Sequence, residues 1–483
     1  MPSTSNTSSS LTPTFLILLA ISTLGPLLFG FHLAELNAPS KVLTCQDGKN
    51  LRPNHDPSSF LPPCIPTSPS QFGLITSSFT LGGLLGALSS GPVTASRGRL
   101  PTMVYASLFA IIGPICEALA PSIMLLTAGR LLSGIGAGAA TVVVPIYIAE
   151  ICPRGKSGLW GSATQIMTNL GILIALVLGL FWSRPGWWRW ILAAGGVIAG
   201  LMMVGLLVGG VESPVWLKEK GREEEARRVE RRIRGDGGPE VVVEQGEEQT
   251  TLLGDGDSSS PSPPAKSTLG PWGVLNDAES RRAVFAVCMM MLAQQFTGIN
   301  SIIMYGVSLL STILPTSSTA LNIFVAALNL VVTTSCAPLS DSLGRKTCLL
   351  LSITGMGISS LLLAISIIHV IPALSIAAVI AFVASFGLGL GPIPFILASE
   401  LVGSEAVGAT QSWALAVSWS ATFVVAQFFP VLNVWLGGGR VYFLFAGMAL
   451  FFALFVRFFV PESRGMRDAD EVWGRRKGSA LED

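Results

Sequence analysis

In the stretch LLFGFHLAELNAP, residues 27 to 39, His32 and Glu35 stand near the end of a long apolar run. Ionisable groups are costly in hydrocarbon, and where they persist they mark ion or proton pathways. Three residues apart, the two lie on nearly the same face of a helix, so they can pair with each other or share a third partner. An imidazole beside a carboxylate can bind and release a proton near the pH of an acidic compartment. A second reactive pair is Cys45 and Cys64, which share the loop after that run. A disulfide is expected if the loop faces an oxidising lumen, and two free thiols are the alternative. Cys116, Cys288, Cys336 and Cys348 lie in or at the edge of apolar runs, where small buried thiols are packing residues.

The elements that must position these groups are membrane helices. Of 483 residues, 50% are hydrophobic and 12% charged, with a mean hydropathy of +0.62, which excludes an ordinary soluble domain. Apolar runs lie near 15 to 36, 71 to 93, 101 to 120, 123 to 149, 160 to 182, 188 to 210, 283 to 312, 319 to 340, 347 to 368, 372 to 398, 408 to 434 and 441 to 460. At ~1.5 Å rise per residue, each is long enough to cross a hydrocarbon layer of ~30 Å. The expected fold class is therefore an all-α polytopic membrane protein of twelve transmembrane helices.

Short cytoplasmic loops retain Lys and Arg. Arg97, Arg99, Arg154, Lys156, Arg345 and Lys346 fall in alternate loops, and the segment from Lys218 to Arg234 belongs to the same side. Both termini are then cytoplasmic, and the loop carrying Cys45 and Cys64 lies on the opposite face. No Lys or Arg precedes Lys41, and the first run lacks a basic flank and a small-residue cleavage site, so no removable signal peptide is expected.

Six runs, a polar insert and six more runs make two similar halves, which points to internal duplication. SGPVTASRGRLPTM and APLSDSLGRKTCLL both carry a Gly-Arg pair at corresponding turns. Glu150 follows PIYIA, Glu400 follows PIPFILAS, and VESPVWL at 211 to 217 parallels VPESRG at 460 to 465. The expected organisation is an N-terminal tail (1–14), a six-helix bundle (15–210), a linker (211–282), a second six-helix bundle (283–460) and a C-terminal tail (461–483). In the linker, 214 to 234 read as a charged surface helix. Residues 235 to 267, rich in Gly, Glu, Ser and Pro, read as disordered. Within them EQTTLL, with Glu248, Leu252 and Leu253, fits an acidic dileucine sorting signal read by an adaptor.

GRLLSGIGAG at 129 to 138, PIYIAEICP at 145 to 153, QQFTGIN at 294 to 300, DSLGRK at 341 to 346, GPIP at 391 to 394 and PESRG at 461 to 465 together resemble the sugar porters of the major facilitator superfamily. FGFHLAELNAP and the dileucine are closest in flavour to fungal vacuolar members. The resemblance covers nearly the whole chain outside the insert. It implies two six-helix halves rocking about a central site with alternating access. It also implies substrate-binding roles for Gln165, Gln294, Gln295, Asn300 and Asn329, with Trp419 and Phe395 as aromatic covers. Neutral amides both donate and accept, as sugar hydroxyls require, with no charge to desolvate. Positions 294 to 300 span less than two helical turns, so these amides can line one wall; the alternative is that they only bridge helices.

The resemblance further implies a cytoplasmic charge network of Arg130, Glu150, Glu212, Asp341, Arg345, Glu400 and Glu462 that holds that face shut when the opposite face is open. Several usual partners are replaced, by Ala95, Ser96, Ser157, Val215 and Val407. Fewer latches favour the inward-open state. At the position of His32, proton-coupled relatives typically have Asp, working against an Arg at the position of Arg130, and facilitative carriers have Asn. His32 is neither, and Glu35 could take the pairing role. The other reading is that Glu35 reaches luminal water while a neutral His32 donates a hydrogen bond.

The expected function is transport of a monosaccharide, with a hexose as the expected class, across a vacuolar or other internal membrane, as a uniporter or a proton-linked porter. A transporter-like sugar sensor or trafficking factor is the alternative. GIGAGAA lies inside a run and serves close helix packing; no nucleotide loop or metal-spaced cluster is present, so neither an enzyme, a cofactor nor a nucleic-acid partner is expected.

Overall fold

Among the described residues, twelve helices are long and apolar enough to cross a membrane: Pro13–Ala34, Pro69–Arg97, Arg99–Ala118, Ile123–Ile151, Ala163–Trp182, Trp188–Gly209, Ala278–Leu310, Ser318–Ser335, Arg345–Ile368, Pro372–Ala398, Val407–Trp435 and Val441–Phe459. They are called the first to twelfth spans below. The computed structural model describes residues 12–46, 61–152, 157–234, 272–311, 318–403, 406–464, 466 and 469–474, and no strand occurs among them. The polar stretch 235 to 267, with Glu248, Leu252 and Leu253, lies outside the described residues. The seventh span starts earlier than the apolar run alone implies. Asp277 accepts a hydrogen bond from the Ser280 amide at 2.9 Å, capping the helix five residues before the run begins.

Three spans are interrupted, and the interruptions place the functional side chains. The first pauses at Thr23, between helices Pro13–Ser22 and Leu24–Ala34. The seventh breaks at Gly298, whose φ of +99° suits a residue without a Cβ, and an added Cβ there would strike the Phe445 ring. The tenth breaks between Leu388 and Ile393, freeing the carbonyls of Leu390 and Gly391 from helical bonding. In a membrane such freed groups need partners inside the protein, and Gln294 supplies them. Small residues bring the spans close: a Cβ on Gly134 would strike the Phe79 carbonyl and one on Gly82 that of Leu131, locking the second span to the fourth.

The duplicated phrases fold into duplicated structure. In the first half, Glu212 accepts the Arg99 amide at 2.8 Å and the Leu100 amide at 3.2 Å. In the second, Glu462 accepts the Arg345 amide at 2.8 Å and the Lys346 amide at 3.1 Å. Each carboxylate thus covers the unsatisfied N–H groups at the start of a span, where the helix dipole favours a negative charge. Each Arg turns its guanidinium to the paired acid: Arg99 Nε lies 2.8 Å from Glu150 Oε2, and Arg345 Nη2 lies 2.8 Å from Glu400 Oε1. Burial pushes the Glu212 carboxyl above the ordinary range, while the backbone donors of Ser213, Arg99 and Leu100 and the Arg99 charge pull the other way. These ion pairs join elements of one half, rather than crossing between halves. The Asp341 side chain lies outside the described ones.

On the opposite face, Cys45 and Cys64 form the disulfide, with Cα atoms 5.4 Å apart. Their loop is tied to the sixth span by Trp188 Nε1 on the Pro63 carbonyl at 2.8 Å and Arg189 Nη2 on that of Pro62 at 3.0 Å. The halves meet on this face. Asn37 donates to the Ile303 carbonyl at 2.7 Å and accepts the Val307 amide at 2.9 Å, Ser77 donates to Gln427 at 2.8 Å, and the rings of Phe72 and Tyr305 lie 6.0 Å apart.

Gly98 and Gly344, with φ of +105° and +94°, leave room for Glu212 and Glu462, which an added Cβ would strike. Gly98→Ala and Gly344→Ala are each expected to cost about 1–3 kcal/mol, from the strained backbone and the displaced cap. Thermal unfolding of the purified protein checks this, and similar losses at both sites are the mark of the duplication.

Candidate functional site

His32, Glu35 and Arg130 come together in the interior of the first half. All three are fully buried, so the reading in which Glu35 reaches luminal water is corrected. The first span ends its helix at Ala34, and the turn that follows keeps Glu35 inside the bundle, against the fourth span. Arg130 Nη1 donates to Glu35 Oε1, and His32 Nδ1 lies 3.0 Å from both oxygens of the same carboxylate. The Arg130 guanidinium also stacks over the Phe79 ring, 4.6 Å from its centre.

A third span contributes a residue that the sequence analysis missed. Glu117 is fully buried beside this group, and Ser133 Oγ donates to its Oε1 at 2.5 Å. The signal was present: an ionisable residue inside the run 101 to 120, the same feature that marked His32 and Glu35. His32, Glu35 and Glu117 each offer a ligand atom within 4.8 Å of the others. Arg130 already fixes a positive charge on Glu35, so a metal cation would be repelled by it, and this donor set suits a proton better.

The expected amides form two groups. In one, Gln294 Nε2 donates to the carbonyls of Leu390 at 2.7 Å and Gly391 at 3.0 Å. Gln295 Nε2 donates to Gln294 Oε1 at 3.0 Å and Ser418 Oγ at 3.1 Å, and Asn300 Nδ2 donates to Gln295 Oε1 at 2.6 Å. In the other, Asn169 Oδ1 accepts from Gln165 Nε2 at 3.2 Å and from Asn329 Nδ2 at 3.4 Å, linking the fifth span to the eighth. Asn169 was not singled out from sequence, although it follows Gln165 by one helical turn. Its Nδ2 is buried without a hydrogen-bond partner. Buried donors are almost always satisfied, so an open one between the halves points to a ligand hydroxyl or an ordered water.

The two expected aromatic covers differ. Trp419 is buried with its ring centre 5.4 Å from Phe29 and 6.2 Å from Phe79, pressed against Gly83. Phe79 is the ring under Arg130, so a single aromatic ring separates the charged cluster from Trp419, and Ser418 beside it holds Gln295. Phe395, on the short helix Ile393–Glu400 after the break, has an exposed side chain and is not packed over the amides in this conformation.

The family profile described as Sugar (and other) transporter matches residues 18–471. Probable metabolite transport protein YBR241C of Saccharomyces cerevisiae is 34% identical over 462 residues, covering 94% of this chain and 93% of the relative. Vacuolar protein sorting-associated protein 73 of the same yeast is 30% identical over 453 residues, covering 92% and 93%. Among solved structures, the xylose transporter XylE from E. coli, in a partially occluded inward-open conformation, superposes with a TM-score of 0.74 at 22% identity, over 94% of this chain and 100% of that one. The superposition bears out the expected two-bundle major facilitator fold.

Removing one partner of a buried ion pair strands the other charge, at a cost of about 3–5 kcal/mol. Arg130→Met is expected to lose about that much, and adding Glu35→Gln to it to recover part of the loss. Thermal unfolding of the single and double variants checks the pairing; a double variant less stable than the single one would show that Glu35 is held by something else.

Proposed function

Given that this chain belongs to the sugar transporter family, we propose that it carries a monosaccharide, with hexoses the preferred class, by alternating access and linked to proton movement. The observation that carries this reading is the pair of amide groups, one within the second half and one bridging the halves through Asn169 and Asn329, with the open N–H of Asn169 in the latter. Hydroxyls of a sugar can accept from that N–H and exchange with the amide-to-amide bonds, each worth about 0.5–1.5 kcal/mol net. The broken seventh and tenth helices support it too, since irregular backbone at membrane depth is tolerated where it lines a cavity.

Rocking of the halves fits the distribution of contacts. The charged latches are internal to each half, and the contacts of Asn37, Phe72 and Ser77 across the halves lie on the disulfide face. We take residues 15–210 and 283–460 as the moving bodies, 211–282 as the linker, and the basic-loop face with both termini as cytoplasmic. On this assignment the site opens toward the cytoplasm, in keeping with the thinned latches. The proposed location is the vacuolar or another internal membrane, with Glu248, Leu252 and Leu253 as the sorting address.

A second reading, a sugar-binding sensor or trafficking factor without net transport, is favoured by the name of one relative, Vacuolar protein sorting-associated protein 73. Reconstitution into liposomes with labelled hexoses and a pentose separates the two. A carrier shows saturable uptake that Gln294→Ala and Asn300→Ala each reduce by about tenfold or more, the equivalent of about 1.4 kcal/mol. Binding without flux at any pH gradient supports the sensor instead. Gradient-driven accumulation is expected to fail in His32→Asn and Glu35→Gln, and full accumulation in both would end the proton-linked part of the proposal.

A further inference from the structure

We propose that Glu117 is the group that holds the labile proton of the buried cluster, with Glu35 remaining ionised as the permanent partner of Arg130. This deepens the proton-linked reading above and rests on it for its role in transport, though not for its test.

The argument is one of charge and satisfied atoms. The cluster contains two carboxyl groups and one guanidinium, which is always charged, together with an imidazole. With both acids ionised and His32 neutral, it carries one uncompensated negative charge in a site closed to water. Like charges this close are not both kept, and one proton makes the cluster neutral. The bonding decides where it sits. Glu35 accepts from Arg130 Nη1 and from the Nδ1–H of His32, so protonating it would forfeit a charge-assisted pair. Glu117 has Ser133 as its donor at Oε1, and its buried Oε2 has no hydrogen-bond partner. An ionised oxygen left so is costly, whereas a carboxylic acid there is neutral.

His32 supplies the complementary gap. With its Nδ1–H directed at Glu35, its Nε2 is an acceptor, and that atom is also buried without a partner. His32, Glu35 and Glu117 each have a ligand atom within 4.8 Å of the others, so a proton carried by Glu117 stands close to an imidazole whose acceptor is open, and Arg130 Nε is a further open donor of the same cluster. Arg189 of the sixth span is engaged elsewhere: its Nη1 donates to the carbonyls of Ala118 at 2.8 Å and Ala120 at 2.7 Å, its Nη2 to that of Pro62, and its guanidinium stacks on Trp188. From the fourth span, Arg130 and Ser133 face Glu117, and from the first, His32 and Glu35.

Proton release would leave two adjacent carboxylates competing for Arg130, which sits on Phe79, itself in contact with Trp419. The state of Glu117 is thereby felt at the boundary between the halves through a change in where the guanidinium is held. His32 on this account positions Glu35 and need not carry the charge itself.

Infrared difference spectra of the full-length protein in lipid vesicles, taken across a pH titration, test this without any sugar being known. The wild type is expected to show the carbonyl stretch of a buried protonated carboxyl that disappears at high pH. Glu117→Gln should abolish the band, Glu117→Asp should keep it at a shifted frequency, and Glu35→Asp, which keeps the charge beside Arg130, should leave the band at its wild-type frequency. A band that survives in Glu117→Gln, a band that shifts in Glu35→Asp and not in Glu117→Asp, or no band in the wild type, overturns the assignment. In the same vesicles, Glu117→Gln should still exchange labelled sugar across the membrane while losing gradient-driven accumulation. Accumulation equal to wild type in that variant would overturn the proposal whatever the spectra show. If the wild type moves no sugar at all, the transport reading fails while the infrared result still decides the proton's location.

Discussion

The pairing of Glu35 with Arg130 is the contact on which the interior of the first half depends. Neither charge is exposed, and neither has water to fall back on. Taking such ions out of solvent costs several kcal/mol each, which only close geometry and further hydrogen bonds offset. His32 and the Phe79 ring provide those further contacts, and they fix the relation of the first, second and fourth spans. The same ring touches Trp419 of the second half, so the electrostatics of one bundle bear on the packing between bundles.

The second organising feature is repetition. Two acids cap the N-termini of the third and ninth spans and two others hold the Arg that follows the turn, in the same arrangement in each half. The copies are not identical: Ser463 donates to Glu400 at 2.6 Å, while its counterpart Ser213 caps the short helix beginning at Pro214, its Oγ accepting the Trp216 amide at 3.3 Å. Because these bonds lie within a half, they stiffen each bundle as a body. Contacts between the bundles are of another kind, single hydrogen bonds and ring edges, individually weak enough to be remade during rocking.

The amide groups occupy the place where the two organising features meet. Gln294 is held by carbonyls that the broken tenth span releases, and Gln295 by a serine next to Trp419. The amides are therefore preoriented by the backbone break and by the serine beside the inter-half ring contact, and their remaining capacity is directed at one another. A binding site made this way can report its occupancy to the contacts that open and close around it.

Much of this was legible in the chain. The twelve spans follow from hydropathy and length, the halves from repeated phrases, and the His32–Glu35 pairing from spacing on one helix turn. The family motifs marked the amides and the four latch acids that the structure pairs or caps. Other features were not readable. Glu117 stood in the run 101 to 120 as an ionisable residue, but its partners were not defined until the third span was packed against the fourth, and Asn169 differs from an ordinary helix-bridging amide only by its open Nδ2. Phe395 had the right place in the sequence, yet its side chain is exposed because the tenth span breaks before it. The sequence by itself determined the membrane class, the duplicated layout and which helix faces carry polar groups, because hydropathy and helical period are local properties. The tertiary structure decided which charge meets which and which atoms are left without partners, because buried electrostatics depends on residues brought together from separate helices.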